Sequence, residues 1–312
     1  MNFQDIRIVF MGTPEFAVAS LDALVKAGCN IVGVITAPDK PAGRGMAVQQ
    51  SAVKKYAIEN NLHILQPEKL KNPQFLEDLK LLGAHLQIVV AFRMLPEVVW
   101  NMPPMGTINV HGSLLPQYRG AAPLNWAIIN GEEETGITTF KLKHDIDTGD
   151  ILLQERLPID EAETAGELHD RMKELGARVL VRTVQGLVEG TLEERSQLSA
   201  LEEFSFEIKH APKIFTETCK IDWSQPVDRV HNLIRGLSPY PGAFTILKDK
   251  VLKIYRSEKE LARPLIATGE LETDGKTYLK FACAEGYIVS KEVQWEGKRR
   301  MLIEEFLRGF RN

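Results

Sequence analysis

Short apolar runs and stretches of helical periodicity take turns along the first half of the chain. Arg7–Met11 reads as a strand, and Ala17–Ala27 carries apolar residues at helical spacing until Gly28 stops it. Ile31–Ile35 is again apolar and β-branched, Ser51–Asn60 and Pro73–Leu82 predict helices, and Leu86–Ala91 predicts a buried strand. This βαβ rhythm implies a parallel sheet covered on both faces. The alternation continues through a strand at Thr107–Val110, a helix at Pro123–Asn130 and strands at Ile137–Leu142 and Ile151–Leu157. It ends in a long helix, Ala165–Glu189, with Leu168, Met172, Leu175, Val179 and Leu187 on one face.

The pattern changes beyond Gly190. Residues 191–207 are polar and without sustained period, which predicts a linker. Short β-like runs follow at Gly242–Leu247, Val251–Tyr255, Leu279–Ala282 and Tyr287–Val293, separated by Gly, Asp and Lys. Such spacing predicts a small β-barrel, an architecture common among nucleic-acid readers. The expected organisation is therefore a first domain at 1–190, a linker at 191–207 and a second domain at 208–312.

The 312 residues, 44% hydrophobic and 26% charged, leave room for two separate cores. The net charge of −4 divides unevenly: residues from Ile208 onward carry a balance of +5, those before it −9. A basic minority domain suits a polyanionic partner, although a chance imbalance on a solvated surface gives the same count. Cys29, Cys219 and Cys283 are far apart and lack metal-ligand spacing, so reduced structural thiols and a cytoplasmic setting are expected. Neither a signal peptide nor a membrane-spanning run is evident.

Candidate chemistry gathers between Asn109 and Pro123. Asn109 and His111 stand two residues apart where an apolar strand runs out into a Gly/Pro-rich loop, so they project to one face at the strand's end. Open parallel sheets bind ligands at that end. A hydrogen-bonding amide beside a group that titrates near neutrality suits a reaction that builds charge on oxygen while moving a proton. A second polar cluster, Lys143–Asp150, offers Asp147 to orient the imidazole and raise its pKa through an ion pair. The Asp-Thr-Gly-Asp sequence there reads equally as a surface turn. Gly12–Phe16 (GTPEF) opens a helix after the first strand, either as a plain turn or as an anion site. It lacks the glycine spacing of a dinucleotide fingerprint.

The run SLLPQYRGAAP (Ser113–Pro123) after Asn109-Val110-His111, with Asp147-Thr148-Gly149-Asp150 further on, resembles the folate-dependent formyltransferases. Gly12–Phe16 and PAGRG (Pro41–Gly45) are similar to the branch of that family that acts on initiator tRNA. The similarity spans nearly the whole chain and is strongest up to about Gly190. It implies an α/β protein, with a Rossmann-like parallel-sheet catalytic domain followed by a small OB-like β-barrel.

The implied reaction moves a formyl group from 10-formyltetrahydrofolate, a cosubstrate, to the α-amine of methionine on initiator tRNA. It needs no metal, and a monomer is the family expectation. Asn109 would donate to the oxyanion. His111 would stabilise charge and help pass a proton to the departing folate nitrogen. Asp147 would orient His111, favour its charged form and anchor a relaying water.

Ser113, Leu114, Leu115 and Pro116 would line the donor site, with Phe92, Met94 and Leu95 around the pterin ring or in ordinary core. The segment departs from the family's A-Y-G-x-x-L-P pattern, being one residue shorter with Arg93 near the glycine position.

For the tRNA, the resemblance points to Lys40 and Arg44 in the loop Pro38–Met46, otherwise a flexible surface loop. It also points to Lys209 and Lys213, in an altered form of the basic element before Ile221-Asp222-Trp223. Arg119 is a candidate for carboxylate or phosphate binding, or a brace for its own loop. Lys220, Arg229, Arg235 and Lys298–Arg300 are further candidates for phosphate contact, and Trp223 is expected to anchor the core. A formyltransferase acting on a small amine, such as a sugar nucleotide or glycinamide ribonucleotide, would share the Asn/His/Asp trio. The PAGRG loop and the basic second domain favour tRNA. A non-catalytic RNA-binding protein on the same scaffold would not need two clusters of catalytic type.

Overall fold

A computed structural model describes residues 3–42, 47–197, 199 and 208–310. In chain order its strands are β1 (Arg7–Gly12), β2 (Asn30–Ile35), β3 (Lys40–Ala42), β4 (Ala47–Gln49), β5 (Ile64–Leu65), β6 (Leu86–Val90), β7 (Thr107–His111), β8 (Glu134–Lys141) and β9 (Ile151–Pro158). Then come β10 (Ala243–Leu247), β11 (Lys250–Glu260), β12 (Leu271–Thr273), β13 (Leu279–Ala282), β14 (Tyr287–Trp295) and β15 (Arg300–Leu302). The helices are α1 (Glu15–Lys26), α2 (Ala52–Glu59), α3 (Pro73–Leu81), α4 (Glu97–Trp100), α5 (Pro123–Ile129), α6 (Ala165–Glu189), α7 (Val227–Gly236) and α8 (Ile303–Gly309). Among the described residues no helix is long and apolar enough to cross a membrane.

The chain forms two units. The first comprises Met1–Arg119, Gly136–Leu157 and Asp170–Lys209. Its seven-stranded sheet has the order β9-β8-β7-β6-β1-β2-β5. Strands β5, β2, β1, β6 and β7 run parallel, and β8 is antiparallel to β7. All five residues of β6 are buried, as expected for a strand covered on both faces, and its one polar member, Gln87, accepts from Thr107 Oγ1 at 3.2 Å. The chain leaves β1 in one direction to β2 and β5, then returns to its other side for β6 and β7. The carboxyl ends of the strands near such a reversal are where ligands gather. Gly12 ends β1 because a β-carbon there would lie 2.6 Å from that of Ala17 and 3.1 Å from the Val90 carbonyl oxygen. The GTPEF motif thus has a packing role at the β1–α1 turn.

The second unit comprises Gly120–Thr135, Pro158–His169 and His210–Asn312. Its curled antiparallel sheet runs β10-β11-β14-β13-β12, with β15 paired to β14. Trp223 is the expected core anchor: it is 9% exposed, stacks on Phe281 at 4.5 Å and 16°, and donates its indole N–H to Thr245 Oγ1. Helix α5 belongs to this core. Ile129 is buried in it, Asn125 donates to the Gly236 carbonyl (2.7 Å), and Trp126 donates to the Pro212 carbonyl (2.7 Å).

Helix α7 falls where the sequence reading places no element, although Val227, Val230 and Ile234 keep helical spacing and are its buried stripe. Strand β11 extends past Tyr255 to Glu260, where its charged residues are paired: Lys259 reaches both Glu161 (2.7 Å) and Asp228 (2.8 Å).

Candidate active site

Strand β7 delivers Asn109 and His111 to the carboxyl end of the first unit's sheet, two residues apart and therefore on the same strand face. His111 is 6% exposed, and its ring meets Phe140 edge-on at 6.4 Å. Its Nε2 lies 2.9 Å from the carbonyl oxygen of Tyr118. That oxygen only accepts, so Nε2 carries a proton and Nδ1 is the nitrogen open to exchange. Nδ1 sits 3.9 Å from Asp147 Oδ2, too far for a hydrogen bond but within ion-pair range.

Burial moves the His111 pKa below its ordinary value; the Asp147 carboxylate and the Tyr118 carbonyl push the other way without prevailing. This corrects the expectation of a raised pKa. The carboxylate is within reach, but desolvation of a nearly enclosed ring outweighs its attraction. The imidazole is therefore neutral at neutral pH and poised to take up a proton beside a carboxylate that stabilises it.

The loop after β7 is fixed by Ser113 and by two side chains that the sequence did not single out, Thr138 and Gln154. Thr138 Oγ1 donates to the Ser113 carbonyl (2.6 Å) and accepts from Leu115 N (3.1 Å). Gln154 donates to the Leu115 carbonyl and to Thr138, at 2.8 and 2.9 Å. Ser113 Oγ donates to the Gln117 carbonyl at 2.6 Å. The backbone of Lys209 takes the Tyr118 N–H (2.7 Å) and gives its own N–H to Gln117 Oε1 (2.8 Å). Together these bonds hold the Tyr118 carbonyl where His111 needs it. The only signal available for Thr138 was its place on a strand beside β7.

Asp147 adopts φ 54, a left-handed conformation that Asp tolerates better than most residues. Gly149 is required because a β-carbon there would fall 1.6 Å from the Lys141 carbonyl oxygen. The Asp-Thr-Gly-Asp run is thus both a turn and the carrier of the carboxylate.

The remaining candidates separate into distinct settings. Ser113, Leu115 and Pro116 are buried and Leu114 is half-buried, while Leu115 packs with Phe140 and Ile151. Leu95 is buried and Phe92 half-buried around one core cluster, whereas Met94 is 73% exposed. Arg93 reaches the Glu68 and Pro67 carbonyls.

Lys40 is exposed on the β3–β4 hairpin, whose base is braced by Asp39 between Lys54 (2.5 Å) and Gln66 (2.9 Å). Arg44 lies outside the described residues. Lys209 is exposed, as is Lys213, whose ammonium sits 5.7 Å over the Phe215 ring. The Arg119 guanidinium donates to Gln197, in keeping with a loop brace. Arg235, a candidate phosphate contact, is instead 6% exposed and donates to the Asp160 and Glu163 carbonyls, so it faces no solvent-borne anion. Burial pushes the Cys29 and Cys283 thiols up to about 11 and about 12, which keeps them protonated and inert.

Known proteins resemble this chain in sequence and fold. The Formyl transferase family model matches residues 6–184, and the Formyl transferase, C-terminal domain model matches residues 213–311. A methionyl-tRNA formyltransferase of Bacteroides fragilis is 53% identical over 317 residues, covering 99% of this chain and 97% of that protein. One from Flavobacterium johnsoniae is 50% identical, covering 98% and 96%. Among solved structures, the sugar 3N-formyl transferase WlaRD, crystallised with dTDP and 5-N-formyl-THF, shares the fold. Its TM-score is 0.68 at 22% identity, over 94% of this chain and 99% of that one. Glycinamide ribonucleotide transformylase 1 from Symbiobacterium toebii gives a TM-score of 0.52 at 20% identity, over 62% and 95%. With both family models matched in order and relatives of 50–53% identity along almost its entire length, this chain belongs to the formyl transferase family.

Proposed function

We propose that this protein transfers the formyl group of 10-formyltetrahydrofolate to the α-amine of methionyl initiator tRNA. The observation that carries this reading is the 53% identity, over 99% of the chain, to a relative of that name. In the reaction the neutral amine attacks the formyl carbon, a C–N bond to the amine forms, and the C–N bond to the folate nitrogen breaks. A proton leaves the amine and one is delivered to the departing nitrogen.

The chain's own groups match these demands. Asn109 donates to the oxygen that becomes charged, a contact of a kind worth roughly 100- to 1000-fold in rate. His111 exchanges its proton at Nδ1, because Nε2 is taken up by the Tyr118 carbonyl. Asp147, 3.9 Å away, stabilises the imidazolium as it forms.

The donor is assigned to Ser113–Pro116 together with Phe92, Met94 and Leu95. Lys40, Arg44, Lys209 and Lys213 are assigned to tRNA phosphates. Arg119 is a weaker member of that set, because its guanidinium already serves Gln197. A monomer acting in the cytoplasm fits this role. The test is incubation of the purified protein with 10-formyltetrahydrofolate and methionyl initiator tRNA, followed by hydrolysis and detection of N-formylmethionine. Uncharged tRNA and an amino-sugar nucleotide serve as competing acceptors. Formylation of the sugar in preference to methionyl-tRNA would overturn the assignment.

A further inference from the structure

The turn that carries Asp147 is held from outside by a residue belonging to neither polar cluster. The stretch Glu194–Gln197 lies along the start of β9, where Arg195 and Ile151 exchange backbone hydrogen bonds of 2.8 and 2.9 Å. This brings Gln197, 2% exposed, against the turn. Its amide nitrogen donates to two carbonyl oxygens, those of Asp147 (2.9 Å) and Gly149 (2.8 Å). Its amide oxygen accepts from Arg119 at Nε (3.0 Å) and at one terminal nitrogen (2.6 Å). Both donors and both acceptor positions of the side chain are therefore engaged.

An amide is the side chain that can do this, because one end must give hydrogen bonds to carbonyls and the other must receive them from a cation. A carboxylate would face the two carbonyls with lone pairs, and a methionine would leave all four partners unanswered. The residue being held matters too. Asp147 adopts φ 54, a conformation that persists where the surroundings fix it, and its carboxylate stands at the outer limit of ion-pair range from His111. A small outward drift of the turn would separate the two.

We infer that Gln197 is a positioning residue for formyl transfer: by joining the Arg119 guanidinium to the carbonyls of Asp147 and Gly149, it fixes the Asp147 carboxylate against His111. The inference rests on the reading of Asp147 as the partner of His111.

The test measures the steady-state kinetics of methionyl initiator tRNA formylation by 10-formyltetrahydrofolate, with the full-length enzyme, for Gln197→Met, Gln197→Glu, Asp147→Ala and the Gln197→Met/Asp147→Ala double variant. Each Gln197 variant should lower kcat by roughly 100-fold, the loss expected for a displacement of about 1 Å. KM for both substrates should stay within about 3-fold. In the Asp147→Ala background, Gln197→Met should cost nothing more, because the residue acts through that carboxylate. A Gln197 variant with unchanged kcat, or an equal further loss in the double variant, would overturn the inference and leave Gln197 as a brace for the fold alone. Wild-type turnover by Asp147→Ala would instead remove the catalytic reading of Asp147, a separable failure. Should Gln197→Met melt at the assay temperature, Gln197→Glu, which keeps the Arg119 pairing, carries the test.

Discussion

Gly149→Ala is a one-carbon probe of how much the site depends on the turn after β8. The added β-carbon would stand 1.6 Å from the Lys141 carbonyl oxygen, whereas real side chains essentially never come within 3.0 Å of such an atom. The separation must therefore grow by about 1.4 Å. The obstacle is backbone in a strand of the central sheet, paired with β7 on one side, so the turn yields rather than the strand. Asp147, two residues upstream, is carried with it, and its 3.9 Å approach to His111 opens beyond ion-pair range. A misplacement of that size costs on the order of 100-fold in rate, or about 2.7 kcal/mol in the barrier. The assay is single-turnover formylation, with thermal melting alongside to establish that the protein is folded. Loss of the carboxylate's influence should also lower the His111 pKa further, readable by NMR titration of the labelled imidazole. A folded Gly149→Ala protein within about 2-fold of wild-type turnover would refute the dependence on the turn.

Three further outcomes are expected. His111→Ala should reduce formylation by roughly 100- to 10,000-fold while the melting temperature holds, and turnover near wild type would remove the imidazole from the mechanism. Arg44→Ala should raise KM for methionyl initiator tRNA and spare KM for the formyl donor; unchanged tRNA kinetics would exclude the loop from substrate contact. His231, buried in the second unit against Ser257 Oγ (3.0 Å), has its pKa lowered to about 4 by burial and by Arg235 and Lys259. The unfolded chain, near the ordinary 6.5, binds the proton first. Stability is therefore intact above about pH 6.5 and lost as acid approaches pH 4, by about 3 kcal/mol for this group. His231→Gln should flatten the stability–pH curve in that window, as followed by urea unfolding, and an unaltered curve would show that the ring is not the titrating group.

Much of the first unit could be read from its residues because its elements obey local rules. Leu86–Val90 is apolar but for Gln87 and buried throughout, Ser51 caps α2 by accepting from Lys54 N, and α6 keeps its stripe of Leu168, Met172, Leu175 and Val179 inside. Asn109, His111 and Asp147 stood out because their residue types are chemically distinctive at a strand end and in a turn. The direction of the His111 pKa was not legible, since it depends on how tightly the ring is enclosed. Gln197 was invisible for another reason. A glutamine in a polar stretch after a helix looks like linker, and its role follows from the three-dimensional meeting of residues 119, 147 and 149. The strands β12 and β15 escaped notice because three residues are too few to show a period.

Helix α5 follows directly on the loop that ends at Pro123, yet its Ile129 fills the interior of the second unit, and Gly236 leaves room for it: a methyl group there would strike Ile129 at 2.7 Å. Cutting the polypeptide once near residue 210 would therefore yield no self-sufficient half, since the carboxyl-terminal fragment would lack a wall and the amino-terminal one would carry a greasy helix with nothing to cover it. Anyone exchanging this module between homologues must transplant residues 120–135 and 158–169 with it.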